Sequence, residues 1–274
     1  MTINRHFVRL DEGLVHYREA GHRHGGPPLL MMHASPASSA FLEPLMAVLG
    51  QSRRVIAPDT LGNGDSAPPS QASPVLGDYA DSMDRFLTAL NIEQCDVYGT
   101  HTGSHIGVEL ALQSPQRVRH LAMHGVAVLS AEEQTEFLTH YAPPQAPDDI
   151  GGQFNWAFHY VRDQMIFYPH FRKNPEHIRF GGHLEPEFLH TLAVGLLKNL
   201  THYHKTYHAV FRHPLLERLA AVSVPVCLVT HEHDPLKDAT ALVEAECRNV
   251  EIIDLPSAMP VDEAAALQRW FVES

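Results

Sequence analysis

The chain has 274 residues, of which 44% are apolar and 19% charged, with both charge signs spread along its length. These are the proportions of one large globular domain, or of a core domain carrying an insertion, and not of a disordered chain. Acidic side chains outnumber basic ones 32 to 20, a formal net charge of −12, which argues against nucleic acid as a partner because nothing would neutralise its phosphates.

Residues 6–10 and 14–18 read as a short antiparallel pair turned by Asp11-Glu12-Gly13. A buried strand over 29–33 follows the Gly-Gly-Pro-Pro turn that starts at Gly25, and 38–49 reads as helix. Strand 55–57, helix 75–90, strand 96–98, a helix from about 102 to 113 and strand 120–124 come next. At the far end, strands over 225–230 and 250–254 alternate with helices near 236–247 and 261–272. Apolar runs alternating with helical patterns predict a mostly parallel, eight-stranded sheet with crossover helices, an α/β architecture.

The rhythm changes between 130 and 215, where no strand pattern appears. Phe154, Phe158, Val161 and Met165 recur at helical spacing, and Pro186 opens a second helix through Leu189, Leu192 and Leu196. The block holds 14 of the 22 aromatic residues and ten of the 21 histidines. The expected organisation is a core formed by 1–129 and 216–274, with a helical cap over 130–215 inserted after the sixth strand. A cap there lies over the carboxyl ends of the strands, where open α/β sheets bind ligands. Most of its aromatics would form its own core, while some, with Trp156 and Tyr160 as candidates, would line a pocket for a largely apolar molecule.

No apolar run approaches the ~20 residues that cross a bilayer, and Met-Thr-Ile-Asn-Arg-His lacks the apolar stretch of a secretory signal. The expectation is a cytoplasmic protein without a membrane partner. Cys95, Cys227 and Cys247 are odd in number and far apart, and read as buried thiols.

The run Gly99-Thr100-His101-Thr102-Gly103 resembles the G-x-S-x-G nucleophile elbow of α/β hydrolases. Three segments in the right order support the likeness. Leu29-Leu30-Met31-Met32-His33-Ala34-Ser35-Pro36 resembles the oxyanion loop, with alanine in a glycine position; Arg54 to Ser66 resembles the loop that follows it; and Val224 to Pro235 resembles the strand that delivers the acid of the triad. The resemblance covers nearly the whole chain and implies an α/β-hydrolase fold. It also implies that Asp234 matches the triad acid and that the backbone N–H groups of Ser35 and Thr102 match the oxyanion-hole donors. Histidine replaces the usual nucleophile at position 101. No histidine occurs after His233, and Met259 stands about where the family's catalytic histidine falls.

His101 is therefore the candidate acid–base residue, with Asp234 able to orient its ring as a dyad. Asp234 can equally cap the helix that starts near Leu236. His124, at the end of the sixth strand, is either a second acid–base group or a satisfied interior histidine, and His33 a support of the oxyanion loop. His202, His204 and His208, and the run His231-Glu232-His233-Asp234, match no zinc signature, so neither a metal nor a cofactor is expected. The leading expectation is a cofactor-independent enzyme acting on a small, largely apolar carbonyl or ester-type compound, by hydrolysis or by a lyase or isomerase step. A catalytically silent ligand-binding protein and a hydrolase with a rearranged Ser–His pair are the alternatives. The partner is a small molecule, and a homodimer is left open.

Overall fold

Leu29–Met32 and Val55–Pro58 are buried at every position, as strands covered on both faces must be. They belong to one eight-stranded sheet, described here from a computed structural model that covers residues 1–22, 26–179 and 182–274. Gly25, the first residue of the Gly-Gly-Pro-Pro turn, lies outside the described residues. The strands are β1 (Asn4–Leu10), β2 (Gly13–Ala20), β3 (Leu29–Met32), β4 (Val55–Pro58), β5 (Cys95–Thr100), β6 (Val118–His124), β7 (Val226–His231) and β8 (Val250–Leu255), in the order β1-β2-β4-β3-β5-β6-β7-β8. The β1–β2 and β2–β4 pairs are antiparallel; every other pair is parallel.

Helices cover both faces. On one, α1 (Glu43–Leu49) and α10 (Pro260–Glu273) bury Leu45, Met46, Leu49, Leu267 and Trp270 against Met31, Ala57 and Val229. On the other lie α2 (Leu76–Ala89), α3 (Thr102–Gln113), α8 (Leu215–Ala220) and α9 (Lys237–Glu246). The helix expected over 38–49 divides into a 3₁₀ turn, Ser39–Leu42, and α1. Pro44 is the cause: it has no N–H and clashes with a preceding helical turn, so it is accommodated only where a new helix begins.

Between β6 and β7 stand α4 (Ala131–His140), α5 (Gly152–Ile166), α6 (Pro186–Lys198) and α7 (Tyr203–Phe211), followed by α8. Extended pairing within this stretch is limited, among the described residues, to a bridge between Phe167 and Ile178. The capping box of Ser130 and Glu133 starts α4, a signal present in the sequence. Phe154 and Phe158 lie on α5 as their spacing suggests, yet they are 62% and 41% exposed. The face that α5 buries carries Ala157, Tyr160, Val161 and Gln164.

Candidate active site

Strand β5 runs straight into α3 through His101, whose φ of 49° and ψ of −106° are strained for a residue with a side chain. The flanking glycines make the bend feasible. A Cβ on Gly99 would lie 2.3 Å from the Gly103 backbone, and one on Gly103 2.1 Å from the Met32 carbonyl oxygen. The Gly-x-His-x-Gly spacing thus follows from the close approach of strand, turn and helix. His101 is held by its backbone N–H, which donates to the His124 carbonyl at 2.9 Å. Its ring lies against Gly125, the residue after β6, where a Cβ would stand 2.9 Å from both Cε1 and Nδ1.

The ring faces a cavity of about 220 Å³ between the sheet edge and the helices that follow β6. The floor includes Ser35, Thr102 and His105; Tyr141, Met165, Tyr168, Tyr207 and Phe211 form much of the apolar wall. Trp156 and Tyr160, the aromatics expected in the wall, do not line it. Trp156 packs on Tyr160 and Tyr203, and the Tyr160 hydroxyl donates to the Tyr141 carbonyl at 3.1 Å. Their face of α5 turns into the helical block's own core, whereas Tyr168, just past the end of α5, reaches the cavity. Met259, in the loop between β8 and α10, is 58% exposed and does not line the cavity.

The Ser35 N–H donates to Thr102 Oγ1 at 3.3 Å, a long bond that an anion could displace, and the Ser35 carbonyl accepts from the Tyr207 hydroxyl at 2.6 Å. Thr102 opens α3, where a backbone N–H has no partner within the helix. Ser35 and Thr102, whose backbone N–H groups are the expected oxyanion donors, both line the cavity. Ser35 Oγ is buried without a hydrogen-bond partner among the described residues, so no histidine activates it. Ser104, the other serine near the elbow, donates its hydroxyl to the Gly99 carbonyl at 2.8 Å. His33 supports the loop: Nδ1 is bonded to the Ala34 carbonyl, and Nε2 accepts from the Thr60 N–H at 3.0 Å.

Asp234 does not bond the His101 ring. Its Oδ1 accepts from the Leu236 N–H at 2.8 Å just ahead of α9, and Oδ2 is buried without a partner among the described residues. Its influence on His101 is through charge. Burial drives the ring's pKa down to about 4; Asp234 opposes this, while His124, Arg179 and His231 reinforce it. His101 is consequently a neutral imidazole at ordinary pH.

His124 makes a different pairing. Its Nδ1 lies 2.7 Å from Oε1 of Glu263, in the first turn of α10, and the Tyr98 hydroxyl donates to the same oxygen at 2.7 Å. Burial lowers the His124 pKa, but Glu263 and Asp234 outweigh it and the net shift is upward. His124 is thus a paired interior group next to His101, with ring centroids 6.4 Å apart.

Two cavity residues escaped the sequence reading. His105, one turn after His101 on α3, accepts from the Ala127 N–H at Nε2, at 3.0 Å, so its Nδ1 carries the proton and donates to His213 Nδ1 at 2.9 Å. His213 in turn donates from Nε2 to Glu109, which Arg218 holds with two further bonds. This chain fixes His105 as a neutral group, and burial lowers its pKa well below the ordinary value. Spacing i, i+4 from His101 was its available signal. Arg179 also lines the cavity. It donates from Nη1 to the Gln164 carbonyl at 2.5 Å and has no ion-pair partner among the described residues. Burial lowers its pKa. Only the fold brings Arg179 here, since its backbone N–H bonds the Ile166 carbonyl beside the Phe167–Ile178 bridge.

His202, His204 and His208 lie in or beside α7, and burial lowers the pKa of each. A cluster of ligand-type atoms, His16, Asp59 and Asp65, occurs elsewhere. Its members are bonded to one another or to Arg5, Ser39 and Lys198, which accounts for it as scaffolding.

The α/β-hydrolase-fold family model matches residues 27–169, and the chain belongs to that family. A 108-residue stretch is 42% identical to 2-hydroxymuconate semialdehyde hydrolase of Pseudomonas sp. (strain CF600), covering 38% of this chain and 38% of that protein. The chain spans less than two thirds of the length of the curated relatives it matches, for example 38%, 39% and 62%. Among solved structures, a laboratory-evolved variant of potato epoxide hydrolase superposes with a TM-score of 0.75 at 19% identity over 100% of both chains. An N-acyl homoserine lactonase complexed with N-hexanoyl homoserine does so with 0.74 at 23% identity, over 99% of this chain and 97% of that one. At those identities the structures establish the fold. No helix among the described residues is long and apolar enough to cross a membrane.

Proposed function

We propose that the protein is a cofactor-independent enzyme acting on a small, largely apolar carbonyl or ester-type compound, with His101 as its acid–base group. The observation that carries this reading is a neutral imidazole held at a strained elbow and facing an aromatic cavity. Strain of this kind costs ~1–3 kcal/mol and gathers at functional sites. The N–H groups of Ser35 and Thr102 would stabilise an oxyanion or enolate while His101 moves a proton to or from water or a substrate carbon. Asp234 favours the protonated ring through its charge, without the hydrogen bond of a conventional dyad. Arg179 gives the cavity a cationic spot, suited to a substrate whose apolar body ends in an anionic or strongly polar group. The relatives named above include a semialdehyde hydrolase and a lactonase, and hydrolysis of a carbonyl compound is consistent with that company.

A catalytically silent binding protein is the competing reading, and a rearranged Ser–His pair has no geometry to support it because Ser35 Oγ meets no histidine. The test is a screen of activated esters, lactones and enolisable ketones with the wild type and His101→Ala. Loss of turnover with retained ligand affinity supports the enzyme. Equal turnover in both removes His101 from the chemistry.

A further inference from the structure

The resemblance to the hydrolase family leads one to seek an acid after β7 and a histidine after β8. The acid there, Asp234, meets no imidazole, and the segment after β8 has no histidine. Beside His101 lies a hydrogen-bonded imidazole–carboxylate pair with its parts exchanged. The histidine, His124, ends β6, and the acid, Glu263, comes from the helix after β8. Glu263 is only 6% exposed, and its Oε1 accepts from both His124 and Tyr98. A buried carboxylate receiving two hydrogen bonds is a built feature, because left unpaired it would strongly destabilise the fold.

We propose that His124 and Glu263 take the place of the absent loop histidine, His124 supplying protons to the site through His101. This rests on the reading of His101 as the acid–base group. Glu263 occupies Nδ1 of His124, leaving Nε2 as its free nitrogen. His101 presents its Nδ1–Cε1 edge to Gly125, the next residue after His124. The two rings lie 24° from parallel with centroids 6.4 Å apart, and the proposed relay runs through one water that accepts from one ring and donates to the other. In the protonation step, an N–H bond of His101 breaks as an O–H or C–H bond forms on the substrate anion. An N–H bond of His124 breaks, and through the water a new one forms on the other nitrogen of His101. His124 is left neutral beside Glu263 and regains a proton from solvent by way of His231, whose ring centroid lies 5.7 Å away and which is partly exposed. His124 does not line the cavity, so it is a positioning and proton-supplying residue, not one that touches substrate.

The ionisable groups facing His124 are Tyr98 from β5, His101 from the elbow, His231 from β7, Asp234 from the loop after β7 and Glu263 from α10. Such a supply requires His124 to hold its proton at a pH where His101 has lost its own, and the opposite shifts of the two rings agree with this.

The experiment uses the full chain and ethyl butyrate as probe, because its alkoxide leaving group has to be protonated, following kcat/KM for ethanol release against pH in the wild type, Glu263→Gln and Glu263→Asp. The wild type should give a bell, with its alkaline limb set by His124. Glu263→Gln should move that limb to lower pH by at least one unit, lowering the rate on the alkaline side about 10-fold per unit, and Glu263→Asp should restore part of it. In parallel, ring-labelled histidine spectra of the wild type should show His124 titrating at higher pH than His101. An alkaline limb indifferent to Glu263→Gln, or His124 titrating with or below His101, overturns the proposal. Should the wild type turn over no probe while the order of titration holds, the enzyme reading falls and the charge-coupled pair stands. Reading the order in the wild type keeps the test decisive even if Glu263→Gln fails to fold.

Discussion

The His101 ring occupies the space that a side chain on residue 125 would need, Cε1 and Nδ1 lying 2.9 Å from where a Cβ of Gly125 would be. Gly125 also has φ of +71°, so two demands meet at one glycine. Gly125→Ala should displace the ring and strain the backbone. We expect a stability loss of roughly 1 kcal/mol or more, as for alanine at positive φ. Turnover of a responsive ester should fall on the order of 100-fold, as for a misplaced catalytic group. Urea denaturation and steady-state rates measure the two separately, and an unchanged rate would show that the ring position is immaterial.

The neutral state of His101 fixes the acid side of the activity profile. With its pKa lowered to about 4, a general base would be fully active well into the acidic range, and the rate would drop only as pH falls through about 4. His101→Ala should cost at least ~100-fold. Asp234→Asn removes an opposing charge and should lower the His101 pKa further, moving the acid limb to still lower pH. A limb near the ordinary histidine value of about 6.5 would contradict the burial of the ring.

Stability should also respond to acid. His101 and His105 both have folded-state pKa values below those of an unfolded chain. The unfolded state therefore binds more protons as pH falls below about 6.5, and stability declines through that window toward pH 4. His124, raised in the fold, acts in the opposite sense, its contribution being lost as pH rises through its folded pKa. Denaturation midpoints in urea from pH 7.5 to 4.5 should decline, and His105→Gln should flatten the decline. A midpoint that rises on acidification would refute the assignment.

Ser35 Oγ gives a prediction of unusual sign. A buried hydroxyl with no partner among the described residues carries an uncompensated desolvation cost of about 1–3 kcal/mol. Ser35→Ala leaves both backbone bonds of residue 35 possible and should leave stability unchanged or raise it by up to about 1 kcal/mol, while weakening ligands that bond the hydroxyl. A marked loss of stability would mean that the hydroxyl has a partner.

Arg179 can be tested by ligand charge. Arg179→Met keeps much of the apolar stem and removes the cation. Apolar carboxylates should lose affinity by about 10-fold or more relative to their methyl esters, measured by calorimetry or fluorescence. Equal losses for both forms would assign Arg179 to packing alone.

The centre of the sheet was legible because runs such as Leu29–Met32 and 226–229 are continuous and apolar, and the α3 limits were legible because Gly99 and Gly103 are dictated by backbone contact. His101 was legible for the same reason. Arg179 and Glu263 were not, because neither sits in a local motif: one is delivered by a bridge across a nonrepetitive segment, the other by the first turn of a terminal helix. Trp156 and Tyr160 were misplaced because helical spacing identifies a buried face without saying whether that face meets the cavity or its neighbouring helices. Asp234 was ambiguous in sequence, and its bond to the Leu236 N–H now accounts for one of its oxygens.

The Tyr207 hydroxyl, donating to the Ser35 carbonyl at 2.6 Å, links the helical block to the loop that carries the proposed oxyanion donor of Ser35. The Ser35 carbonyl lies in the rigid peptide plane shared with Pro36 and the Ser35 N–H in the plane before it, so a tilt of the carbonyl reaches that N–H through the φ and ψ of Ser35. Any guest bulky enough to lift α7 would therefore strain or break the latch next to the proposed oxyanion donor. On the proposed role of the Ser35 N–H, the dimensions of a guest and the aim of that donor would be coupled at a single phenol, so discrimination by girth and discrimination by rate would change together.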